Sequence, residues 1–338
     1  MNIQTRRRFV TALTMAGASG ALGLETRSAR ADVSPETTKI RLIRIPGICI
    51  APQYVAADLL RTEGFTEVSY IETPTGVEAS RAVASGDADF TIIFSAPVLL
   101  TIDAGAPVVL LGGVHVGCFE LFATDRVHSI RDLKGKTVAV QSLESSQHIF
   151  LSSMAAYVGL DPQRDINWAT HPSSKSIQLL AESRIDAMLA FAPEPQELRA
   201  RKIGHVVVNS GADKPWSQYF CCMLAGNREF VRRNPVATKR VLRAVLKASE
   251  VCALEPERAA RTVIERGGYA TNYDYALQTM RDATLAYGKW RQYDPEDTVR
   301  FYALRLREAG MIKSIPQKIV GQATDWRFLK ELRQELKS

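Results

Sequence analysis

Hydrophobic positions along the chain recur with two alternating periods. Short apolar runs of strand length, such as 90–94 (FTIIF) and 138–140 (VAV), alternate with segments such as 51–62, whose apolar residues recur at helical spacing. Such alternation predicts mostly parallel sheets covered by helices. The pattern restarts near residue 119, and helical spacing dominates from about Pro235 onward. The sequence therefore predicts an α/β protein with two successive sheet units, hence two lobes, and a helical C-terminal region.

Turns rich in small and hydroxyl residues follow several of the predicted strands. The segment 142–146 (SLESS), for example, separates the run 138–140 from the next predicted helix. In an open α/β sheet, ligands bind beyond the carboxyl ends of the strands, where the next helix offers free N–H groups. Serine is also a favoured helix cap and needs no ligand in that role, so both interpretations of this turn stay open. The ligand candidates in these turns are Thr75, Gly76, Ser95, Ser142, Ser145 and Ser146.

Longer segments of the chain carry a family pattern. They are 51–65 (APQYVAADLLRTEGF), 79–97 (ASRAVASGDADFTIIFSAP), 129–148 (SIRDLKGKTVAVQSLESSQH) and 179–195 (LLAESRIDAMLAFAPEP). In these segments the chain resembles the substrate-binding proteins of ABC transporters, in the sulfonate, nitrate and thiamine-precursor branch. The D-L-K-G-K motif is shared by related binding proteins, so it indicates the superfamily better than the ligand.

The resemblance implies a type II periplasmic-binding-protein fold that closes over a small organic ligand. Residues 39–120 and 214–338 would form lobe one, and residues 121–213 would form lobe two. The hinge crossings would lie near Gly117–Phe122 and Asp213–Cys221. The ligand positions of the family carry over onto Tyr54, Thr75, Gly76, Ser95, the turn Ser142–Ser146 and Glu194.

Two further aromatic residues join this predicted site on chemical grounds. Trp216 and Tyr219 carry a polar atom on a flat apolar ring, which suits the wall of a cleft. Phe94 and Phe191 lack a polar atom and are assigned to core packing. The mixture of flat apolar surface and hydroxyl groups predicts a ligand such as an aromatic acid, a sulfonate or a pyrimidine, and it fits a bare inorganic anion less well.

The N-terminal segment is typical of a secretory signal. Arg6 and Arg7 lie in a basic stretch, a weakly apolar stretch follows, and Ala29 and Ala31 are small residues at the spacing of a cleavage site. The adjacent arginines resemble a twin-arginine signal. Residues 1–31 are therefore predicted to direct export to the periplasm, with a disordered basic tail as the alternative.

Charge and cysteine content narrow the function classes. The chain has a formal net charge of +7, and removal of residues 1–31, which hold five arginines and one glutamate, leaves +3. A charge this small does not indicate a nucleic-acid-binding protein. Buried free thiols are expected, and no metal site is predicted, because no CxxC pair occurs. No cofactor is predicted, since the sequence has neither GxGxxG nor a P-loop motif. The cysteines are Cys49, Cys118, Cys221, Cys222 and Cys252.

These patterns predict a binding protein and no enzyme. The motifs HExxH, GxSxG and GxGxxG are absent from the sequence. Pyrimidine synthases of the same fold use a cysteine-rich motif, but here only Cys221 and Cys222 are adjacent, and strand alternation would point them to opposite faces. The predicted function is to bind a small organic ligand as a periplasmic monomer and deliver it to the inner-membrane permease of an ABC importer. A periplasmic sensor or partner-binding domain is the alternative.

Overall fold

The computed structural model describes residues 33–268, 271–282 and 285–336. The predicted signal peptide, residues 1–31, lies outside the described residues. Strands and helices alternate through most of the described chain, as the hydrophobic pattern predicts. The strands are β1 (Lys39–Arg44), β2 (Glu67–Glu72), β3 (Phe90–Phe94), β4 (Val108–Val116), β5 (Phe119–Ala123), β6 (Thr137–Val140), β7 (Asn167–Thr170), β8 (Ala187–Phe191), β9 (His205–Asn209) and β10 (Phe220–Asn227).

The helices begin and end largely at the signals that the sequence offers. Thr75 caps one helix start with its side chain, and that helix ends at Gly86, whose φ of 83° favours glycine. The helices are α1 (Ala51–Thr62), α2 (Gly76–Ser85), α3 (Ser95–Asp103), α4 (Ser146–Tyr157), α5 (Ser173–Ala181), α6 (Glu194–Ala200), α7 (Arg228–Arg233), α8 (Pro235–Leu254), α9 (Pro256–Glu265), α10 (Tyr273–Arg281), α11 (Pro295–Glu308), α12 (Pro316–Ala323) and α13 (Arg327–Glu335). Among the described residues, no helix combines the length and the apolar character that crossing a bilayer requires.

The strands form two five-stranded sheets. The first has the order β2-β1-β3-β10-β4 and the second the order β7-β6-β8-β5-β9. In each sheet four strands run parallel, while β10 in the first and β5 in the second run antiparallel to their neighbours. The predicted α/β class with mostly parallel sheets and a helical C-terminal region is thus confirmed.

The chain passes from the first sheet to the second after β4 and returns after β9. The first passage consists of Gly117 and Cys118, shorter than the predicted 117–122, because Phe119 already pairs with Phe191 in the second sheet. The return spans residues 210–219. That the two sheets belong to lobes, 39–120 with 214–338 and 121–213, that move as separate bodies stays a prediction.

Other differences from the sequence pattern concern helices. Helical spacing of the apolar residues over 272–287 predicts one helix there, but α10 ends at Arg281, and Asp282 has an extended backbone. The short helices α6 and α7 were not predicted, because runs of six or seven residues carry too few turns for a clear helical period. The helices α12 and α13 lie in the predicted helical C-terminal region.

A continuous hydrophobic core extends from the first sheet into the region between the sheets. Phe150 of α4 belongs to the same buried cluster as Leu42 of β1. Beside Phe150, aromatic rings of α4 and α11 meet, with Phe150 and Tyr302 at 6.0 Å and Tyr157 and Phe301 at 6.4 Å between ring centroids. We call Phe150, Tyr157, Trp216, Phe301 and Tyr302 the aromatic junction. It joins a helix attached to the second sheet to a helix packed on the first.

Candidate functional site

A cavity of about 350 Å³ lies where the strands of both sheets end. Its walls come from the segments that follow β1, β2 and β6, from the ends of β3 and β8, and from the first passage between the sheets. Parallel strands bring their carboxyl ends to one edge of a sheet, so the turns that follow them converge there. The volume is within the range of small-molecule sites. The lining residues include Ile45, Cys49, Ile50, Thr75, Gly76, Glu78, Arg81, Phe94, Cys118, Phe119, Gln141, Ser142, Leu143, Glu144, Ser145, Ser146, Phe191 and Cys222.

The floor of the cavity is apolar and aromatic. Phe94 and Phe119 lie 5.0 Å apart, and Phe119 and Phe191 lie 6.2 Å apart, between ring centroids. All three rings line the cavity. Phe94 and Phe191, which the sequence analysis assigned to core packing, therefore pack in the core and also face the cavity. A flat apolar group can lie against this floor.

The rim contributed by the first sheet is the start of α2. Thr75 accepts a hydrogen bond from the backbone N–H of Glu78 and donates its hydroxyl to the Glu78 carboxylate at 2.9 Å. One turn further, Arg81 also lines the cavity and forms no ion pair among the described residues. Arg81 is the one cationic side chain of the described cavity wall. It lies on the same rim as the free N–H groups of α2.

The rim contributed by the second sheet is the start of α4. Ser145 caps this helix, since its side chain accepts a hydrogen bond from the backbone N–H of His148 at 3.3 Å. Glu144 has a positive φ of 66° and donates its backbone N–H to the Nδ1 atom of His148. Ser142 is exposed. Capping therefore accounts for Ser145, whereas the hydroxyls of Ser142 and Ser146 form no hydrogen bond among the described residues.

The two helix starts approach each other closely at the cavity. A Cβ atom added to Gly76 would lie 3.5 Å from the Oγ atom of Ser146. Each helix presents free N–H groups and the positive end of its dipole, which favour an anionic or strongly polar group. Glu78 and Glu144 also line the wall, so the site suits a single polar head better than a multiply charged anion.

Five of the predicted ligand residues thus meet at the cavity: Thr75, Gly76, Ser142, Ser145 and Ser146. The other five do not line it. Tyr54 is completely buried in the core, where its hydroxyl donates to the carbonyl of Ile45 at 3.0 Å and burial raises its pKa. Ser95 is also fully buried, with its Oγ atom 2.9 Å from the carbonyl oxygens of Phe220 and Cys221. Both hydroxyls are therefore used in hydrogen bonds to backbone carbonyls inside the protein.

Trp216 belongs to the aromatic junction, and Tyr219 packs against it. Trp216 is 3% exposed and packs edge-on against Phe150. Tyr219 stacks on Phe301 with the ring centroids 3.9 Å apart. The indole N–H of Trp216 and the hydroxyl of Tyr219 were the reason for placing both residues in the cleft wall. Burial of their large apolar rings against other aromatic rings stabilises the packed position more.

Glu194 is buried behind the cavity. Its carboxylate accepts the backbone N–H of Phe191 at 3.1 Å and a hydrogen bond from Ser173. Burial is the main reason that the pKa of Glu194 rises to about 7. Gln141, which lines the cavity, donates to the Oγ atom of Ser173 at 3.0 Å. The carboxylate is therefore linked to the cavity wall through the backbone of Phe191 and, by way of Ser173, through Gln141.

Sequence reasoning missed several lining residues. Gln141 directly follows β6, and its position after an apolar strand was the signal that could have identified it. Arg81 lies four residues after Val77 on α2, so helical spacing places it on the same face. Both residues line the cavity.

A group of thiols and one imidazole lies at the floor. Ligand atoms of Cys49, His115 and Cys222 all lie within 4.8 Å of one another. Cys221 and Cys222 were predicted to point to opposite faces, but their sulfur atoms are 3.9 Å apart, because irregular pairing of β10 with β4 disturbs the alternation there. These three residues are the metal-ligand set that the described part of the chain brings together.

Comparison of the sequence with models of protein families identifies the family of this chain. The model of the NMT1-like family matches residues 33–266, more than half of the chain. The chain belongs to the NMT1-like family. This membership covers both sheets and every element that lines the cavity, so the cavity is part of the family domain.

The chain shares its fold with solved binding proteins. The periplasmic nitrate-binding protein NrtA from Synechocystis aligns with a TM-score of 0.75 and 15% identity over 90% of each chain. The alkanesulfonate-binding protein SsuA from Xanthomonas axonopodis, solved with MOPS bound, aligns with a TM-score of 0.63 and 17% identity over 82% of this chain and 96% of that one. These similarities confirm the periplasmic-binding-protein fold that the sequence predicts.

One curated relative is similar in sequence. The bicarbonate-binding protein CmpA from Synechococcus elongatus is 26% identical over 123 residues, which are 36% of this chain and 27% of that protein. The match thus spans about a quarter of the length of the relative. All three of these proteins are named as binding proteins.

Proposed function

We propose that this NMT1-like protein binds a small organic molecule in the cavity and delivers it to an ABC importer. The observation that carries the proposal is the meeting of two helix starts, α2 from the first sheet and α4 from the second, over one aromatic floor. A ligand held by both rims gains contacts only when the lobes are together. Its binding would therefore favour the closed form.

The chemistry of the walls selects the ligand class. Phe94, Phe119 and Phe191 offer a flat apolar surface, while Ser142, Ser146 and the helix N–H groups offer hydrogen bonds to one polar or anionic head. Sulfonates, aromatic carboxylates and pyrimidines have this division between body and head. Nitrate and bicarbonate, which the similar proteins NrtA and CmpA are named for, would leave the aromatic floor without a partner.

A thermal-shift screen tests the ligand class. We expect at least one sulfonate, aromatic carboxylate or pyrimidine to raise the melting temperature, because a ligand at about a hundred times its Kd adds ~2.7 kcal/mol of stability. Nitrate and bicarbonate serve as the inorganic arm of the screen. Stabilisation by these two alone would contradict an organic ligand, and no shift in either arm would contradict the cavity as a binding site.

The rim serines separate ligand binding from helix capping. Ser146→Ala should weaken binding of the ligand from the screen several-fold to a hundredfold, because a lost hydrogen bond costs ~0.5–1.5 kcal/mol, or ~1.5–3 kcal/mol if the ligand group is charged. Its unfolding free energy should stay unchanged. Ser145→Ala should instead lose ~1 kcal/mol of stability, because Ser145 is the cap of α4. Calorimetric titration and urea unfolding measure the two quantities.

Ser85→Ala is the matched control, since Ser85 ends α2 and is exposed away from the cavity wall. It should leave the affinity unchanged. Its unfolding free energy should fall by about 1 kcal/mol at most, since the Ser85 hydroxyl donates only to exposed partners, the Ala82 carbonyl and the Asp87 carboxylate. An unchanged affinity in both rim variants would mean that the ligand is held elsewhere.

We propose that the protein works in the periplasm. The segment 1–31 would act as a twin-arginine signal, and the exported protein would work as a monomer that presents its closed lobes to the inner-membrane permease. The protein would have no catalytic role. The proposal draws on the signal-like sequence of 1–31 and on the names of the similar binding proteins.

A further inference from the structure

The cavity floor contains a second set of chemically specific side chains, separate from the serine rims. Cys49 precedes α1, His115 lies near the end of β4, and Cys222 lies near the start of β10. Cys222 and His115 are direct partners in the antiparallel pairing of β10 and β4, which brings side chains of opposite strands close together. The Cys49 sulfur completes a triangle whose ligand atoms are all within 4.8 Å of one another.

His115 lacks the partners that a buried histidine normally has. It is 1% exposed, yet neither ring nitrogen forms a hydrogen bond within the described part of the chain. Its ring packs edge-on against Tyr287, with the centroids 5.2 Å apart. A buried polar atom without a partner needs a physical explanation, and a metal ion bound to one ring nitrogen supplies it.

We propose that Cys49, His115 and Cys222 bind a zinc ion at the floor of the cavity. Two thiolates, one neutral imidazole and Zn²⁺ carry no net charge together, which suits an environment of low dielectric. Sulfur and imidazole nitrogen are preferred zinc ligands. Zinc–sulfur bonds of about 2.3 Å and zinc–nitrogen bonds of about 2.0 Å require the three atoms to move closer by roughly 1 Å.

The fourth coordination position faces the cavity. Cys49 and Cys222 line the cavity, so an ion between them is reached from that side. Three protein ligands and one open position are typical of zinc sites that take a water molecule or an exogenous ligand. The zinc would therefore offer a coordination position to an anionic or sulfur-containing molecule in the cavity.

Surrounding groups support the ligand arrangement. The hydroxyl of Tyr287 donates to the backbone carbonyl of Cys49 at 2.9 Å and fixes the segment that carries the sulfur. Cys118 also lines the cavity, but a third thiolate would leave a net negative charge on the buried site, so we assign it no ligand role.

Metal titration of the reduced protein tests the site without any organic ligand. We expect one Zn²⁺ or one Co²⁺ per chain, and for Co²⁺ the visible bands of a tetrahedral site with thiolate-to-metal charge transfer. Cys222→Ser should weaken zinc binding by more than about a hundredfold, since even outer partners of zinc ligands contribute 10–100-fold. Cys118→Ser should retain the tetrahedral Co²⁺ bands, and a loss in this variant would overturn the open fourth position.

Cys252→Ser is the matched control, because Cys252 is completely buried in α8 and outside the cluster. It should bind zinc like the wild-type protein. Protection of Cys49 and Cys222 from alkylation by zinc, mapped by mass spectrometry on the wild-type protein, gives a result even if Cys222→Ser fails to fold. Zinc binding that is equally weak in the wild-type protein and Cys222→Ser would overturn the proposal.

Two further outcomes would also overturn the assignment. One is a disulfide involving Cys49 or Cys222 in protein isolated from the periplasm, because a bridged sulfur is no longer a thiolate. The other is retention of Cu⁺ with exclusion of Zn²⁺ in a competition between the two ions, which would assign a soft monovalent ion instead. Neither result bears on the thermal-shift screen, so failure of the zinc site and failure of organic-ligand binding can be told apart.

Discussion

Phe150→Ala should lower the free energy of unfolding by about 3–5 kcal/mol, the usual loss for a large aromatic side chain removed from a core. Phe150 is 1% exposed. Its ring lies 5.1 Å from Phe94 of the first sheet and 5.7 Å from Trp216, between centroids. The deletion therefore leaves a hole at the aromatic junction that rigid neighbours on both sides cannot fill. Urea unfolding followed by fluorescence measures the change.

An exposed leucine provides the control for this experiment. Leu254 at the end of α8 is 82% exposed, so Leu254→Ala should change the unfolding free energy by less than ~0.5 kcal/mol. A loss below ~1 kcal/mol for Phe150→Ala would mean that the junction contributes little to stability and that α4 and α11 are not held together by it.

Glu194→Gln should change the dependence of stability on pH. The ordinary pKa of this carboxyl group is 4.5, and its pKa in the folded protein is about 7, chiefly because of burial. Below pH 4.5 it is protonated in both states and has no effect. As the pH rises to about 7, the unfolded chain loses the proton and the folded protein keeps it, so stability falls. The fall amounts to about 3 kcal/mol, since each tenfold change in the ionisation constant corresponds to ~1.4 kcal/mol.

Glutamine keeps the shape of Glu194 and does not ionise, so the unfolding free energy of the variant should not decrease between pH 4.5 and 7 for this reason. The difference in unfolding free energy between variant and wild type should be flat below pH 4.5, grow between pH 4.5 and 7, and stay constant above pH 7. Glu265→Gln at the exposed end of α9 is the control and should give no such growth. A constant difference for Glu194→Gln would show that the carboxyl group titrates normally in the folded protein.

The sequence predicted the elements of the site better than its individual side chains. Thr75 and Ser145 are short polar residues at strand–helix turns, and both their position and their capping role follow from local rules. Tyr54 and Trp216 are amphipathic, and the sequence does not show whether the ring or the polar atom determines their surroundings. In the structure both rings are buried.

The thiol and imidazole group could not be predicted from spacing. Its members come from a loop and two strands far apart in the sequence, and Cys222 meets His115 only because β10 inserts antiparallel between β3 and β4. β10 reaches this position only because the chain returns to the first sheet after β9. The order of strands in a sheet is a property of the whole fold and is not encoded in a local sequence pattern. Local patterns such as CxxC describe sites built from one segment and miss a site built across strands.

A single substitution at Gly76 can change the size of the ligand that the cavity accepts. Because an added Cβ would lie 3.5 Å from the Ser146 hydroxyl, which is ordinary van der Waals contact, alanine fits at position 76, whereas valine or leucine would extend across the gap between the two helix starts. Position 76 lies at the start of α2, outside both sheets and the aromatic junction, so such a change reduces the space between the two helix starts. A single substitution at position 76 can therefore change the preference of the cavity toward smaller ligands. When related proteins bind ligands of different size, position 76 is the first residue to compare.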